Sequence, residues 1–318
     1  MKPETSYLLR RVILGIPTLL LLLAAVFALV QLLPGGPEDL LAQSLSSAPR
    51  PTTAPISQTL SVEQVQQLKA QLGQDRSPVD QFLHITLGYL SGDLGKSLFY
   101  QRPVADLLLE RAPVSALLGL SALVLAVACA VPLGLLQATR RGGAIDRGLS
   151  LITLAAYSIP GFVAGALLIQ WFSLESGVGW GPVLCLAIGF FASLSLITRA
   201  AALQELRRPY IWTAQAIGLS RLSILRTQVL PNVLLPVLAA MPSWFVSSAV
   251  SGALLIETLF GVEGMGLLAV EALSRRDYPV VLACVFFAGL ASLLAKLVID
   301  IAYGWADPRV RIHVPPSV

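Results

Sequence analysis

Chemistry has few places to start in this chain. It offers two histidines, three cysteines and 18 acidic residues among 318. His84 and His313 lie outside every apolar run, and neither has a metal-ligating residue three or four positions further on. Solvated or locally satisfied histidines are expected. Cys129, Cys185 and Cys284 each sit in an apolar run, far apart in sequence, which suits small buried hydrophobes better than a disulfide or a metal site. A covalent mechanism needs a nucleophile beside a base, but no apolar run holds a histidine or a pair of acids, and neither H-E-x-x-H nor G-x-x-x-x-G-K-[ST] occurs. Lys296 and Asp300 are the charges inside an apolar run. Four residues apart, they share one helical face near the end of that run, which fits a local ion pair anchoring the helix end better than a proton relay.

The elements around these residues are set by hydrophobicity. Of the chain, 55% is hydrophobic and only 13% charged, about half the charged content of an ordinary soluble domain. A polytopic membrane protein follows, and the net charge of +4 is no nucleic-acid footprint. Since about 20 apolar residues cross the hydrocarbon core as a helix, the uncharged stretches predict six spans: Val12–Leu33, Pro113–Gln137, Gly148–Leu174, Gly181–Thr198, Leu230–Ile256 and Tyr278–Tyr303. The first is longer than a signal-peptide core and lacks a clean cleavage site after it, so it is expected to be retained. Pro231, Pro236 and Pro242 are candidate kink sites in the fifth.

Arginine and lysine orient the spans. Lys2, Arg10 and Arg11 precede the first; Arg140, Arg141 and Arg147 follow the second; Arg199, Arg207, Arg208, Arg221 and Arg226 fall between the fourth and fifth; Arg309 and Arg311 follow the last. This places both termini in the cytoplasm. Arg275 and Arg276, on an outside loop, run against the trend. Three regions result: residues 1–33 with the first span, an extracytoplasmic subdomain over 34–112, and a five-span core over 113–318. Within the subdomain, Ser61 and Gln64 form a capping box and Gly73 can close the helix they start.

The cytoplasmic segment 199–230 and the first residue after it carry "YIWTAQAIGLSRLSILRTQVLP", Tyr210 to Pro231. Pro209–Ile217 can form a short helix, Gly218 its left-handed C-terminal residue, and Ser220 the cap of a second helix. Two short helices meeting at a glycine elbow make a compact knob.

This stretch resembles the cytoplasmic EAA loop of ABC importer permeases. Gly218 takes the glycine place and Leu230-Pro231 the L-P place. Within the dipeptide/oligopeptide permease branch the local form T-A-R-A-K-G-L is matched by Thr213, Ala214, Gln215, Ala216, Ile217, Gly218 and Leu219, with Gln215 and Ile217 replacing two basic residues and Gln228 in the I place. "SIPGF" (Ser158–Phe162), "GALLIETLFGVEGMGLL", "SRRDYPVV" and "DPRVR" are similar to family motifs in the same order, and the whole looks closest to the microcin C-type peptide (Yej) branch. The resemblance implies an all-α transmembrane subunit of a type I ABC importer in the bacterial inner membrane, moving peptides or peptide-like compounds. The same resemblance implies a chain that is not itself an enzyme and carries no cofactor of its own. The implied partners are a homologous second permease, two ATPase subunits carrying ATP and Mg, and an extracytoplasmic peptide-binding protein, in a lipid setting without nucleic acid. Thr213, Ala214, Ala216, Gly218, Leu219, Leu230 and Pro231 are then the candidates for coupling to the ATPase. Ser158, Pro160, Ser243 and Trp244 are candidates for the pathway, although kinks and ordinary packing would account for them equally. Glu257, Glu263, Arg275 and Asp277 fall near the outer mouth, where they could meet cargo or binding protein or be solvated loop charges. The same machinery importing nickel or metallophore chelates, or a self-sufficient secondary carrier, are the alternatives.

Overall fold

The computed structural model describes residues 3–32, 77–172, 179–247 and 253–306. The described residues are helical throughout apart from connecting turns and one isolated backbone bridge, Lys96 with Pro103. In chain order the helices are α1 Pro3–Leu32, α2 Pro78–Ser91, α3 Val104–Thr139, α4 Ala144–Ser158, α5 Gly161–Phe172, α6 Trp180–Glu205, α7 Pro209–Ala216, α8 Arg221–Ile224, α9 Leu230–Ser247, α10 Ala253–Phe260, α11 Met265–Ser274 and α12 Tyr278–Ala306. The capping box at Ser61 lies outside the described residues.

Five stretches are long and apolar enough to cross a bilayer: Ile13–Leu32, Val104–Thr139, Trp180–Glu205, Arg221–Met241 and Tyr278–Val298. Two further pairs of helices pass that test only together. Ala144–Ser158 and Gly161–Gln170 meet at 95°, and α10 and α11 meet at 81°.

The third predicted span is therefore not one rod. Pro160 has no N–H to give the helix and drives the residue before it out of the helical region. Ile159 is indeed extended, with φ −89° and ψ 118°, and the Pro160 carbonyl then accepts the first amides of α5, from Val163 and Ala164. The prolines of the fifth predicted span behave differently: α9 runs through Pro231, Pro236 and Pro242 as one helix. Residues 248–252 of the predicted span lie outside the described residues, and α10 follows them. α11 forms where an outside loop was expected. α3 begins at Val104 rather than Pro113, and α6 continues past Arg199 to Glu205.

The chain divides into two compact units. One is drawn from Met1–Val12, Arg111–Leu267 and Leu290–Val318. Here α6 packs against α4, α5, α9 and α10. Along α3, Ala122, Ala126, Ala130, Gly134 and Ala138 recur every fourth residue and form a stripe of small residues, the alanines buried. Small residues let helices approach closely where lipid supplies no hydrophobic drive. At Gly134 the approach is closest: an added Cβ would lie 2.7 Å from Thr198 Cβ and 2.9 Å from the Ser195 carbonyl oxygen. Asp146, at the start of α4, accepts two bonds from Arg199 of α6, Nε to Oδ1 at 2.9 Å and Nη2 to Oδ2 at 3.0 Å, plus one from the Gly142 amide at 2.9 Å. Such a fork-on-fork pair fixes direction as well as distance, so it ties α4 to α6.

The other unit is drawn from Ile13–Glu110 and Leu268–Gly289. In it α1 and α12 touch at Gly289, where a Cβ would fall 2.5 Å from Leu19 Cδ1. Phe82 of α2 packs on Phe27 of α1, and Tyr89 of α2 on Phe286 of α12.

Candidate functional site

The knob between α6 and α9 is built as its sequence directs. Pro209 occupies the first turn of α7, where a missing N–H costs nothing. At the other end Gly218 has φ +87°. The Leu219 amide donates to the Ala214 carbonyl at 3.1 Å and the Gly218 amide to the Gln215 carbonyl at 3.0 Å. This is the Schellman pair that satisfies the last carbonyls of a helix ending in a left-handed residue. Two residues on, the Ser220 hydroxyl accepts the Ser223 amide at 3.3 Å and caps α8. α8 passes into a π-turn over Leu225–Val229, closed by the Leu230 amide on the Leu225 carbonyl, and so into α9.

One side of the knob is rooted. Ile211, Ala214 and Ile224 are buried with Val229 and Val233 against Ala138 of α3 and Ala202 of α6. A polar brace closes the base. Tyr210 Oη donates to Glu205 Oε1, and Asn232 Nδ2 donates to the same carboxylate oxygen at 3.1 Å, to Tyr210 Oη at 3.1 Å and to the Gln228 carbonyl at 2.9 Å. Burial, then the Glu205 carboxylate, pushes the Tyr210 hydroxyl above the usual phenol range. The opposite side is bare: Trp212 is 69% exposed and Ile217 71%. Thr213, Gln215, Ala216, Gly218 and Leu219 share that exposure, whereas Ala214 is turned inward, Leu230 is half-buried, and Pro231 is exposed on the first turn of α9.

The four residues expected near an outer mouth separate into two kinds. Glu257 is fully buried on α10. Its Oε1 accepts Ser115 Oγ at 2.6 Å, and its Oε2 accepts the Gly266 amide at 2.7 Å and the Leu267 amide at 3.2 Å. Ser115 Oγ accepts the Met265 amide at 2.8 Å in turn. The carboxylate thus lies on the free amides at the start of α11, where a negative charge is favoured, and holds the bend between α10 and α11. Asp277 is buried as well: Ser97 Oγ donates to it at 2.5 Å, and the Leu98 and Phe99 amides each at 3.1 Å. It pins the turn before α12 to the loop before α3. Neither acid is a solvated loop charge. Glu263 and Arg275 stay at the surface, Glu263 paired with Arg111 at 2.9 Å and Arg275 lying 3.7 Å over the Phe99 ring.

Of the pathway candidates, Ser158 and Pro160 meet at the α4–α5 break, both exposed, with Ser158 Oγ donating to the Leu154 carbonyl at 2.9 Å. Ser243 and Trp244 continue α9, and their side chains lie outside the described residues, as does that of Asp300. The Asp146–Arg199 tie escaped the sequence reading. An acid in the first turn after a glycine turn and an arginine ending an apolar run were its available signals.

A bundle of long apolar helices with a helical knob folded out between two of them defines a class, the transmembrane subunit of an ABC importer. Two inward-facing crystal forms of the MetNI methionine ABC transporter share the fold, one with TM-score 0.53 at 16% identity over 64% of this chain and 97% of that one. The second gives TM-score 0.55 at 17% identity over 63% and 96%.

Residues 130–312 match the family described as binding-protein-dependent transport system inner membrane component, and the chain belongs to that family. The peptidoglycan transport system permease protein YejB of Agrobacterium fabrum is 30% identical, covering 96% of this chain and 98% of the relative. The inner membrane ABC transporter permease protein YejB of Escherichia coli O157:H7 and the dipeptide transport system permease protein DppB of Escherichia coli K12 match at the same identity and coverage. The expected dipeptide/oligopeptide permease family, Yej branch, is thereby shown. The chain is a multi-pass subunit of the bacterial inner membrane, part of an importer that works with ATPase subunits, and is not itself an enzyme. The self-sufficient carrier is set aside.

Proposed function

We propose that this chain forms one half of a paired permease that passes peptides or peptide-like compounds inward, with the exposed face of the 209–222 knob seated on an ATPase subunit. The cargo is inferred from the peptide and peptidoglycan systems to which its relatives belong. A homologous second permease completes the pathway, two ATPase subunits bind ATP and Mg, and an extracytoplasmic binding protein delivers the cargo. In this reading there are six crossings. Both termini and the loop 199–230 are cytoplasmic, and 34–112 faces out. Thr213, Ala216, Gly218 and Leu219 belong to the docking face; Ala214, Leu230 and Pro231 set its root. Ser158, Pro160, Ser243 and Trp244 lie on the pathway, and Glu263 and Arg275 flank its outer mouth, with Glu257 and Asp277 shaping it from within.

The observation that carries the coupling role is the knob itself. It keeps Ile211, Ala214 and Ile224 inside while leaving Trp212 and Ile217 uncovered, and bare apolar surface of this kind marks a contact site. The test is reconstitution of the chain with a homologous second permease, two ATPase subunits and a peptide-binding protein. Peptide-loaded binding protein should stimulate ATP hydrolysis and uptake. No stimulation by any peptide, with stimulation by a metal chelate instead, would replace the cargo and keep the machine.

A further inference from the structure

We propose that α2 is an interfacial helix whose Val79–Leu83–Leu87–Leu90 face lies in phospholipid. α2 carries three distinct faces. Ser77 caps it by accepting the Asp80 amide, Pro78 opens it, and Gly92, at φ +86°, ends it. Its first face is packed on its own chain. Phe82 meets Phe27 with ring centroids 5.7 Å apart, Tyr89 meets Phe286 at 5.0 Å, and Gln31 Nε2 donates to Gln81 Oε1 at 2.8 Å. Its second face is aliphatic and uncovered: Val79 is 67% exposed, Leu83 50%, Leu87 64% and Leu90 72%. Spacings of four, four and three residues put these on one stripe. Its third face, with Asp80, His84 and Ser91, is polar and also exposed.

The packed face fixes the depth. Gln31 and Phe27 lie in the last two turns of α1. Tyr89 Oη donates to the carbonyl of Pro279, at the start of α12, at 3.5 Å, and its ring reaches Phe286 about two turns further in. α2 therefore leans across the ends of two membrane spans. Its 14 residues measure about 21 Å, too short for a hydrocarbon core of about 30 Å, so it lies along the boundary. α1 exposes Leu29 and Leu32 at the same depth, which is the lipid-facing surface of a span, and the aliphatic stripe of α2 continues that surface. A protein partner is the poorer fit. Protein interfaces draw on aromatic and arginine anchors, and this stripe has neither. A polar stripe beside an apolar one is the signature of a helix lying between water and acyl chains. The placement is the same in either leaflet and is independent of the cargo and of the ATPase contact.

The test uses the full chain, assembled with its partner subunits in phospholipid nanodiscs, with Cys129, Cys185 and Cys284 replaced by alanine. Spin labels are placed one at a time through Val79→Cys, Leu83→Cys, Leu87→Cys and Leu90→Cys, and through Asp80→Cys and His84→Cys. At the first four, collisions with oxygen should exceed those with a water-soluble nickel chelate; at the last two the ratio should reverse. Collision of Leu83 and Leu87 labels with the chelate would show a solvated face, and protection from both reagents would show a covering subunit; either overturns the inference. A lipid-soluble carbene reagent on the unsubstituted chain gives an independent reading. It should modify 79, 83, 87 and 90 in preference to 80 and 84, and an unmodified stripe counts against the proposal.

Discussion

Two residues show how far one side chain reaches here. Gly218 stands at φ +87° with nothing near the place a Cβ would occupy, so backbone conformation alone resists substitution. A left-handed L-residue costs about 1–2 kcal/mol, with β-branched residues at the upper end. Gly218→Val should therefore insert normally but bend the knob, and binding-protein-stimulated ATP hydrolysis and uptake should fall together in the reconstituted complex. Gly218→Asn should be milder. Unimpaired stimulation in the valine variant would reduce the knob to a connector. Glu257 works through partners instead. Glu257→Ala strands the Gly266 and Leu267 amides, each at about 1–3 kcal/mol when buried. The detergent-solubilised protein should melt several degrees lower by size-exclusion fluorescence. Glu257→Gln keeps one carbonyl oxygen for those amides and should recover much of the loss. Neither Glu257 nor Asp277 looked buried in the sequence, because an acid at the end of an apolar run reads as a surface charge. Ser115, Glu257's hydroxyl partner, is 142 positions away, and Ser97, Asp277's, is 180. No local pattern announces a contact at that range.

Helices were legible where hydrophobicity alone decides them and misplaced where it does not. Uncharged runs overlap the long apolar helices α1, α3, α6, α9 and α12, but charge ends an apolar run, not a helix. Hence α3 already includes Glu110 and Arg111, and α6 carries Arg199 on to Glu205. Proline was ambiguous. Pro160 breaks its helix, whereas Pro231, Pro236 and Pro242 do not. α2 was missed although Ser77-Pro78 and Asp80 are start signals of their kind. The crossing of α3 and α6 gives the prediction for this scale. Gly134→Val would place branched carbon against Thr198 and the Ser195 carbonyl, and overpacking of this kind costs roughly 1–3 kcal/mol. Thermal stability should drop, with Gly134→Ala intermediate. A valine variant as stable as the parent would show that the helices can separate there without loss.

The molecule as a whole was read mainly through its charges. Arginine placement predicts which surfaces face the cytoplasm, and the knob supplies the sharpest check. In a cysteine-free background Ser220→Cys should resist an impermeant maleimide in intact cells whose outer barrier has been permeabilised. Ser57→Cys should react. Labelling of Ser220→Cys under those conditions would invert the orientation. The family was legible because its motifs are local and ordered along the chain. The two compact units were not, since each is assembled from segments far apart in sequence.

The π-turn at Leu225–Val229 holds one residue in reserve between the knob and α9. It contains one residue more than an α-turn would need, with the Leu230 amide reaching back to the Leu225 carbonyl. Deletion of Thr227, which is exposed, should let the turn close as α with the phase of α8 on α9 nearly unchanged, because five π residues and four α residues turn through nearly the same angle. Trp212 and Ile217 would stay outside, and Ile211 and Ile224 would keep their seats. Such a variant should keep its helical circular dichroism and its stimulated ATP hydrolysis. Deletion of a second residue, with no surplus left to absorb it, should turn the knob by about 100° and abolish the stimulation, because the slack in the register is a single residue.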